Sequence, residues 1–190
     1  MSDLQNYIKS YFGVVNESEL EIISRYFQRK TLKKGVYFLE TNKYANQLSF
    51  VQEGILRIFV QTEEKEVTQW ISTKGSFITD LSSFMFDSPA RWNIQALTDV
   101  ELFSISKADY QALGKQIPKW QELEKLFLTK CFIFLEDRVF SHLSMSAEER
   151  YEFFYKQNKA LFNEIPLQYI ASMLGMTPET FSRIRKKQIS

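Results

Sequence analysis

The chain has 190 residues, with 24 Lys+Arg against 23 Asp+Glu, 44% apolar residues and 15% aromatic ones. This is ample core material for one large domain or two small ones, and it excludes disorder and collagen-like repeats; the single Cys131 also excludes an internal disulfide or a four-thiolate metal site. The formal charge of +1 hides any local asymmetry, so charge has to be read segment by segment.

The start, Met1-Ser2-Asp3-Leu4-Gln5, lacks the basic and apolar stretches of a secretory signal. No apolar run approaches the ~20 residues that a membrane span needs, so the expected location is the cytoplasm. Residues 1 to about 28 read as helical, with Leu20, Ile23 and Phe27 at helical spacing and Ser18 as the N-cap of a second piece.

The texture changes between about 30 and 106. Short β-branched and aromatic runs alternate with turn signals: Val36–Leu39, Leu48–Val51, Ile55–Val60, Glu66–Ile71, Phe77-Ile78, Trp92–Leu97 and Val100–Ile105. Strands broken every 8–12 residues predict a sandwich, barrel or roll. Glu53-Gly54 reads as a tight turn, because glycine accepts a positive φ at no steric cost.

From Ser106 onward the pattern is helical. Ser106 and Asp109 predict a cap for a short helix ending near Gly114, and Pro118 suits the first turn of the next. That next helix, 118–143, is apolar on more than one side: Trp120, Leu123, Leu126, Phe127, Cys131 to Leu135, Val139, Phe140 and Leu143. One face can pack on the β-region, and a second copy of the helix is the economical cover for the other. A Cys131–His142 nucleophilic pair is excluded, because the two lie about three turns apart on this one helix. Ser146 with Glu149 forms a capping box for a further helix, which places a domain boundary near 143–146.

The last stretch carries the most chemistry. Leu167, Ile170, Ala171 and Leu174 mark one side of a short helix; Gly175 stops it; Thr177 caps a second helix with Pro178 at its first position. This is the sequence form of a helix-turn-helix. On the second helix Phe181 and Ile184 point inward, while Glu179, Ser182, Arg183 and Lys186 form one outward stripe flanked by Arg185 and Lys187. Residues 166–190 hold four Lys/Arg against one acid, so the basic charge is concentrated on this helix. In a major groove Arg183 can donate twice to guanine and Glu179 can accept from cytosine, while Thr177 and Thr180 at the helix N-terminus can hold a phosphate.

The order of β-rich half, long aromatic helix and C-terminal helix pair resembles the Crp/Fnr family of bacterial transcription regulators. Leu48-Ser-Phe-Val-Gln-Glu-Gly-Ile-Leu-Arg57 is similar to a strand–Gly–strand element of the cyclic-nucleotide-binding roll; Gly75-Ser-Phe-Ile-Thr-Asp-Leu81 to the approach to its phosphate cassette; Ala96–Leu102 to its closing strands; and Ile170–Arg183 to its helix-turn-helix. The resemblance implies an α+β fold. Residues 1–143 would be a jelly-roll-like sensor ending in dimerisation helix 118–143, and residues 144–190 a (winged-)helix-turn-helix. It implies double-stranded DNA, a second copy of the chain and RNA polymerase as partners. It places Glu179 and Arg183 on base-contacting positions and Thr177 and Thr180 on phosphate-contacting ones. Pro178 stands where well-known members have a basic, base-reading residue, so the recognised sequence should differ.

The ligand segment departs further from the family. The family's Gly-Glu-Leu turn corresponds to Thr79-Asp80-Leu81, and Arg91 is followed by Trp92 instead of Ser or Thr. Asp80, Leu81 and Arg91 are thus the candidate ligand residues, cyclic AMP is an improbable effector, and no cofactor is expected. Haem and iron–sulfur variants of the family need more than one His and one Cys. Two further readings compete. The chain can be a sensor or protein-interaction module whose helix pair no longer reads DNA, since the family's β-hairpin wing has no counterpart after residue 187. An enzyme is disfavoured, because no P-loop, dinucleotide fingerprint, H-E-x-x-H or G-x-S-x-G element occurs.

Overall fold

The computed structural model describes residues 3–13 and 15–189. Residues 1, 2 and 14 of the predicted helical start lie outside the described residues, as does residue 190. Two helices open the chain, α1 (Asp3–Phe12) and α2 (Glu17–Arg25). The cap of α2 is Asn16, not Ser18. The Asn16 side chain accepts from the Glu19 amide at 2.9 Å, and Glu19 accepts from the Asn16 amide at 3.3 Å. Ser18 donates its hydroxyl to the same Asn16 oxygen at 2.7 Å, so it supports the cap from two residues inside the helix.

Eight strands follow: β1 (Gln28–Leu32), β2 (Tyr37–Leu39), β3 (Gln47–Glu53), β4 (Leu56–Gln61), β5 (Glu66–Ser72), β6 (Phe77–Ile78), β7 (Asn93–Ala96) and β8 (Val100–Ser106). They form two antiparallel four-stranded sheets, ordered β1-β8-β3-β6 and β2-β7-β4-β5. A short helix, α3 (Leu81–Phe86), interrupts the strands between β6 and β7. β1 has no apolar run to announce it, because its Gln-Arg-Lys-Thr-Leu sequence is exposed and it is held by ladder bonds to β8. Gly54 joins β3 to β4 with φ +91°, and a Cβ there would stand 2.3 Å from the Asp99 carbonyl oxygen. The turn therefore needs glycine twice over, for conformation and for the crossing backbone.

The remaining chain is helical. α4 (Lys107–Gln116) is capped by Ser106, which accepts from the Asp109 amide at 3.1 Å. It ends at Gln116, close to the expected end near Gly114. Gly114 acts inside the helix, where a Cβ would come within 3.3 Å of the Trp120 ring. α5 (Trp120–Ser144) starts after Pro118, which sits in the preceding turn. Then come α6 (Ala147–Gln157), with the Ser146–Glu149 capping box, α7 (Leu161–Glu164), α8 (Leu167–Met173) and α9 (Pro178–Ile189). Among the described residues no helix is long and apolar enough to cross a membrane.

Two apolar cores result. The larger fills the roll and gathers α1, α2 and the first half of α5; the Phe12 ring stacks on Trp120 at 5.4 Å and on Phe127 at 5.1 Å. The smaller is built from α6–α9, where the Tyr151 ring meets Phe162 at 5.7 Å and Phe181 at 5.2 Å. It also takes in Ile55 and Ile71 from the roll, so the C-terminal helices rest on the outer side of β4 and β5. Between the two cores α5 carries large apolar side chains that stay substantially exposed among the described residues. Leu128, Phe132, Leu135 and Val139 recur at four-three-four spacing, and Leu126, Ile133 and Phe140 recur every seven residues. All of these and Leu143 are between 40% and 82% exposed. This is the seam spacing of helices that pack side by side.

Candidate nucleic-acid interface

The helix pair α8–α9 is set by a four-residue turn, Leu174–Thr177. Gly175 takes φ +71° at the end of α8, and the Met176 amide donates back to the Ala171 carbonyl at 2.9 Å. The Thr177 hydroxyl accepts from the Thr180 amide at 3.2 Å, and Pro178, which has no N–H to leave unpaired, follows it. Ala171 is fully buried, as close packing of the two helices requires, and Phe181 and Ile184 anchor α9 in the smaller core.

With those two side chains turned in, the opposite face of α9 is fixed. Glu179, Ser182, Arg183 and Lys186 are exposed on it and, with Lys187, line one open hollow. Thr177 is exposed and Thr180 half-buried at the N-terminal end, their hydroxyls 3.2 Å apart. The backbone amide of Glu179 and the Thr177 hydroxyl hold the Glu179 carboxyl below the usual carboxylate range, so it is an acceptor at neutral pH. Arg185 lies half-buried on the flank, and Lys187 reaches Glu148 of α6 at 3.9 Å. The face thus presents one acid, one hydroxyl and a row of cations at the spacing of successive helical turns.

The other candidate residues, Asp80, Leu81 and Arg91, sit differently. Asp80 is buried. Its carboxylate accepts from the Ser83 amide at 3.1 Å, capping α3, and from the Arg91 amide at 2.8 Å. Both oxygens therefore tie the loop to itself. Leu81 packs against the larger core, and the exposed Arg91 has its guanidinium 5.7 Å from the Trp92 ring. With Asp80 1% exposed and both of its oxygens turned to backbone amides, the carboxylate does not face outward to meet a ribose hydroxyl. Isothermal titration with cyclic AMP and cyclic GMP is accordingly expected to show no micromolar binding; a micromolar isotherm that Arg91→Ala abolishes would refute this.

Sequence reasoning did not find the joint between the helix pair and the roll. Arg57 of β4 is 2% exposed. Its Nε donates to Thr68 at 2.9 Å and its Nη1 to Glu66 at 2.5 Å. Its guanidinium carbon lies 4.2 Å from the Phe59 ring centroid and 3.7 Å from the ring centroid of Tyr169 of α8. β5 is an edge strand, and its Thr68 amide donates to the Ser172 hydroxyl of α8 at 2.9 Å. Trp70 meets Phe134 of α5 edge-on at 4.9 Å and faces Arg138 at 5.0 Å. Within the helical unit Arg150 of α6 ties the end of α8 to the start of α6, donating to the Leu174 carbonyl at 3.0 Å and to the Met145 carbonyl at 2.7 Å. An Arg within a strand gives no local sign that it will be buried by a helix more than a hundred residues away.

Comparison with known proteins agrees with this geometry. Residues 29–116 match the family model of the cyclic nucleotide-binding domain. No curated protein matches the chain by sequence. The fold is shared with solved structures. One is the catabolite activator protein of Thermus thermophilus, at 22% identity and a TM-score of 0.58, over 93% of this chain and 85% of that one. Another is a cyclic-di-GMP-responsive global regulator linked to virulence gene expression in Xanthomonas campestris, at 16% identity and a TM-score of 0.65, over 91% of each chain. A third is the regulatory domain of the Toxoplasma gondii cyclic-AMP-dependent kinase solved with cyclic AMP, at 15% identity and a TM-score of 0.53 over 58% of this chain; this chain spans only 43% of its length. Residues 29–116 thus match the cyclic nucleotide-binding domain, and the overall fold is shared with the two bacterial proteins over 91% or more of this chain.

Proposed function

We propose that the chain is the subunit of a dimeric, sequence-specific DNA-binding transcription regulator of the Crp/Fnr type. The observation that carries this reading is the division of α9: Phe181 and Ile184 are buried while Glu179, Ser182, Arg183 and Lys186 stand exposed in one stripe. A helix so divided presents to the major groove the groups that base edges need. Arg183 donates two hydrogen bonds to guanine and Glu179 accepts from cytosine. Thr177 and Thr180, at the start of α9, receive a backbone phosphate, and Arg185, Lys186 and Lys187 add cations along the backbone. Residues 144–190 are the reader, and residues 1–143, with α5 as the dimer stalk, the sensor.

The exposed seam of α5 supports the dimer, since an uncovered apolar stripe of this length calls for a partner helix. Two readers related by a twofold axis reach successive major grooves about 34 Å apart, which selects a near-palindrome. The protein then works by occupancy, without chemistry of its own, and RNA polymerase is the partner whose access that occupancy controls. The Xanthomonas campestris regulator, which links cell-cell signalling to virulence gene expression, points the same way.

Selection of genomic fragments by the wild-type protein, followed by gel shifts on the recovered site, tests the reading. Arg183→Ala is expected to cost about 1–3 kcal/mol and to relax the preference at one base pair; Lys186→Ala is expected to weaken all duplexes alike and to lower the salt dependence by about one ion. If neither change alters affinity, the helix pair does not read DNA and the chain is a sensor or protein-interaction module instead.

A further inference from the structure

We infer that Arg57 is a positioning residue for the reader: clamped between Phe59 of the roll and Tyr169 of α8, its guanidinium fixes the orientation in which α9 meets a duplex. The inference rests on the DNA-reading function proposed above. It deepens that reading by naming how the reader is held.

The contact is directional in a way that apolar packing is not. A methylene side chain at position 57 would cover Tyr169 but leave it free to slide. The guanidinium is instead oriented from its own side by two hydrogen bonds, to Thr68 and to Glu66, and so held it lies over the rings of both Phe59 and Tyr169. Cation–aromatic contacts are strongest when desolvated, as here, where the residue is 2% exposed. The Thr68–Ser172 bond adds a second point of attachment on the same strand pair. Two points fix a helix in rotation as well as position.

The joint orients the reader without masking it. The groups it engages on α8 are Tyr169 and Ser172, whereas Glu179, Ser182, Arg183 and Lys186 of α9 stay exposed. All the roll-side partners of Arg57 lie on β4 and β5, so a shift of this strand pair reaches α8 directly as well as through α5. Without the clamp the reader still hangs on Arg138 of α5, which donates to the Met173 carbonyl, and on the apolar contact with Ile55 and Ile71. It would therefore swivel rather than detach. Binding to a two-half-site duplex would then lose the benefit of a preset spacing.

The experiment uses full-length Tyr169→Leu and Arg57→Met, the double variant, and Tyr169→Phe as the conservative control. Hydrogen exchange is read at the Thr68 amide, with the Phe50 amide in the β3–β8 ladder as internal reference. Gel shifts compare the selected site with the same site lengthened by one base pair between half-sites. The expected result has three parts. Thr68 exchanges about tenfold faster in both single variants while Phe50 is unchanged. Discrimination between the two spacings falls about tenfold, with the double variant no worse than the worse single. Tyr169→Phe, which keeps the ring, behaves as wild type. Unchanged Thr68 exchange overturns the clamp, and equal loss of affinity on both spacings overturns the positioning role in favour of plain stability. Should the wild-type protein bind no duplex, the DNA-reading function falls and the positioning role with it, while the exchange arm still reports whether the clamp exists.

Discussion

Placing a carboxylate in the α5 seam, as Leu135→Glu or Val139→Glu, is expected to turn the protein into a monomer of 22.5 kDa by sedimentation and to lower its affinity for the selected site by two to four orders of magnitude. Both positions are half exposed within one chain, so a charge there is solvated in the monomer and the fold should stand. In the dimer the same charge faces its symmetry mate across a closed apolar seam, where two like charges are both desolvated and repelled. The energetics leave room for such a switch. Covering the exposed half of each large apolar side chain is worth roughly 1 kcal/mol, and the four seam residues Leu128, Phe132, Leu135 and Val139 on each of two helices give a sum of about 8 kcal/mol, inside the ~4–15 kcal/mol that association costs. Two buried carboxylates reverse that margin. The DNA effect follows from linkage alone, since a monomer reads one half-site at a time, and base preference within that half-site should survive. A wild-type protein that sediments as a monomer at micromolar concentration, or a Leu135→Glu variant that still dimerises, would remove the seam as an interface.

The same helix shows why some of the architecture can be read from sequence and some cannot. Local devices were legible: the Ser146–Glu149 box, the Ser106 cap and the Gly175–Thr177 turn depend on residues within a few positions of each other, and each forms as its spacing predicts. The same logic misplaced the cap of α2, because Asn16 and Ser18 are both good acceptors and only geometry decides which oxygen meets the Glu19 amide. β1 was not read as a separate strand, since an exposed edge held by backbone bonds leaves no hydrophobic signature. The end of α4 near Gly114 is legible, whereas the close approach of the Trp120 ring that the missing side chain admits is not, because that ring comes from the next helix. The exposed stripe of α9 was visible because burial of Phe181 and Ile184 fixes the opposite face by helical period alone. The seat of α8 on β5 was not, because it joins Thr68 to Ser172 and Arg57 to Tyr169 across most of the chain. Spacing arguments reach one element, whereas the joint between reader and roll is a property of two.

Phe181→Ala separates the reader's fold from its reading. Phe181 is 2% exposed, and its ring meets Tyr151 at 5.2 Å and Phe162 at 6.0 Å; it comes from α9 itself. Truncating such a side chain costs about 3–5 kcal/mol, from lost burial plus the cavity left behind. A helical unit as small as α6–α9 has little more than that to lose. The larger core, with Phe12, Trp120 and Phe127 at its centre, shares none of these contacts and should persist. The expected outcome is therefore a melting curve split in two. The reader would unfold first, with sequence-specific binding gone at every salt concentration, while the dimer holds through α5. Arg183→Ala, an exposed change, should leave one transition at the wild-type temperature and alter only the choice of base. If Phe181→Ala melts in a single step with the roll, the smaller core is not a separate unit, and its seat on β4–β5 contributes more of its stability than its own aromatic cluster does.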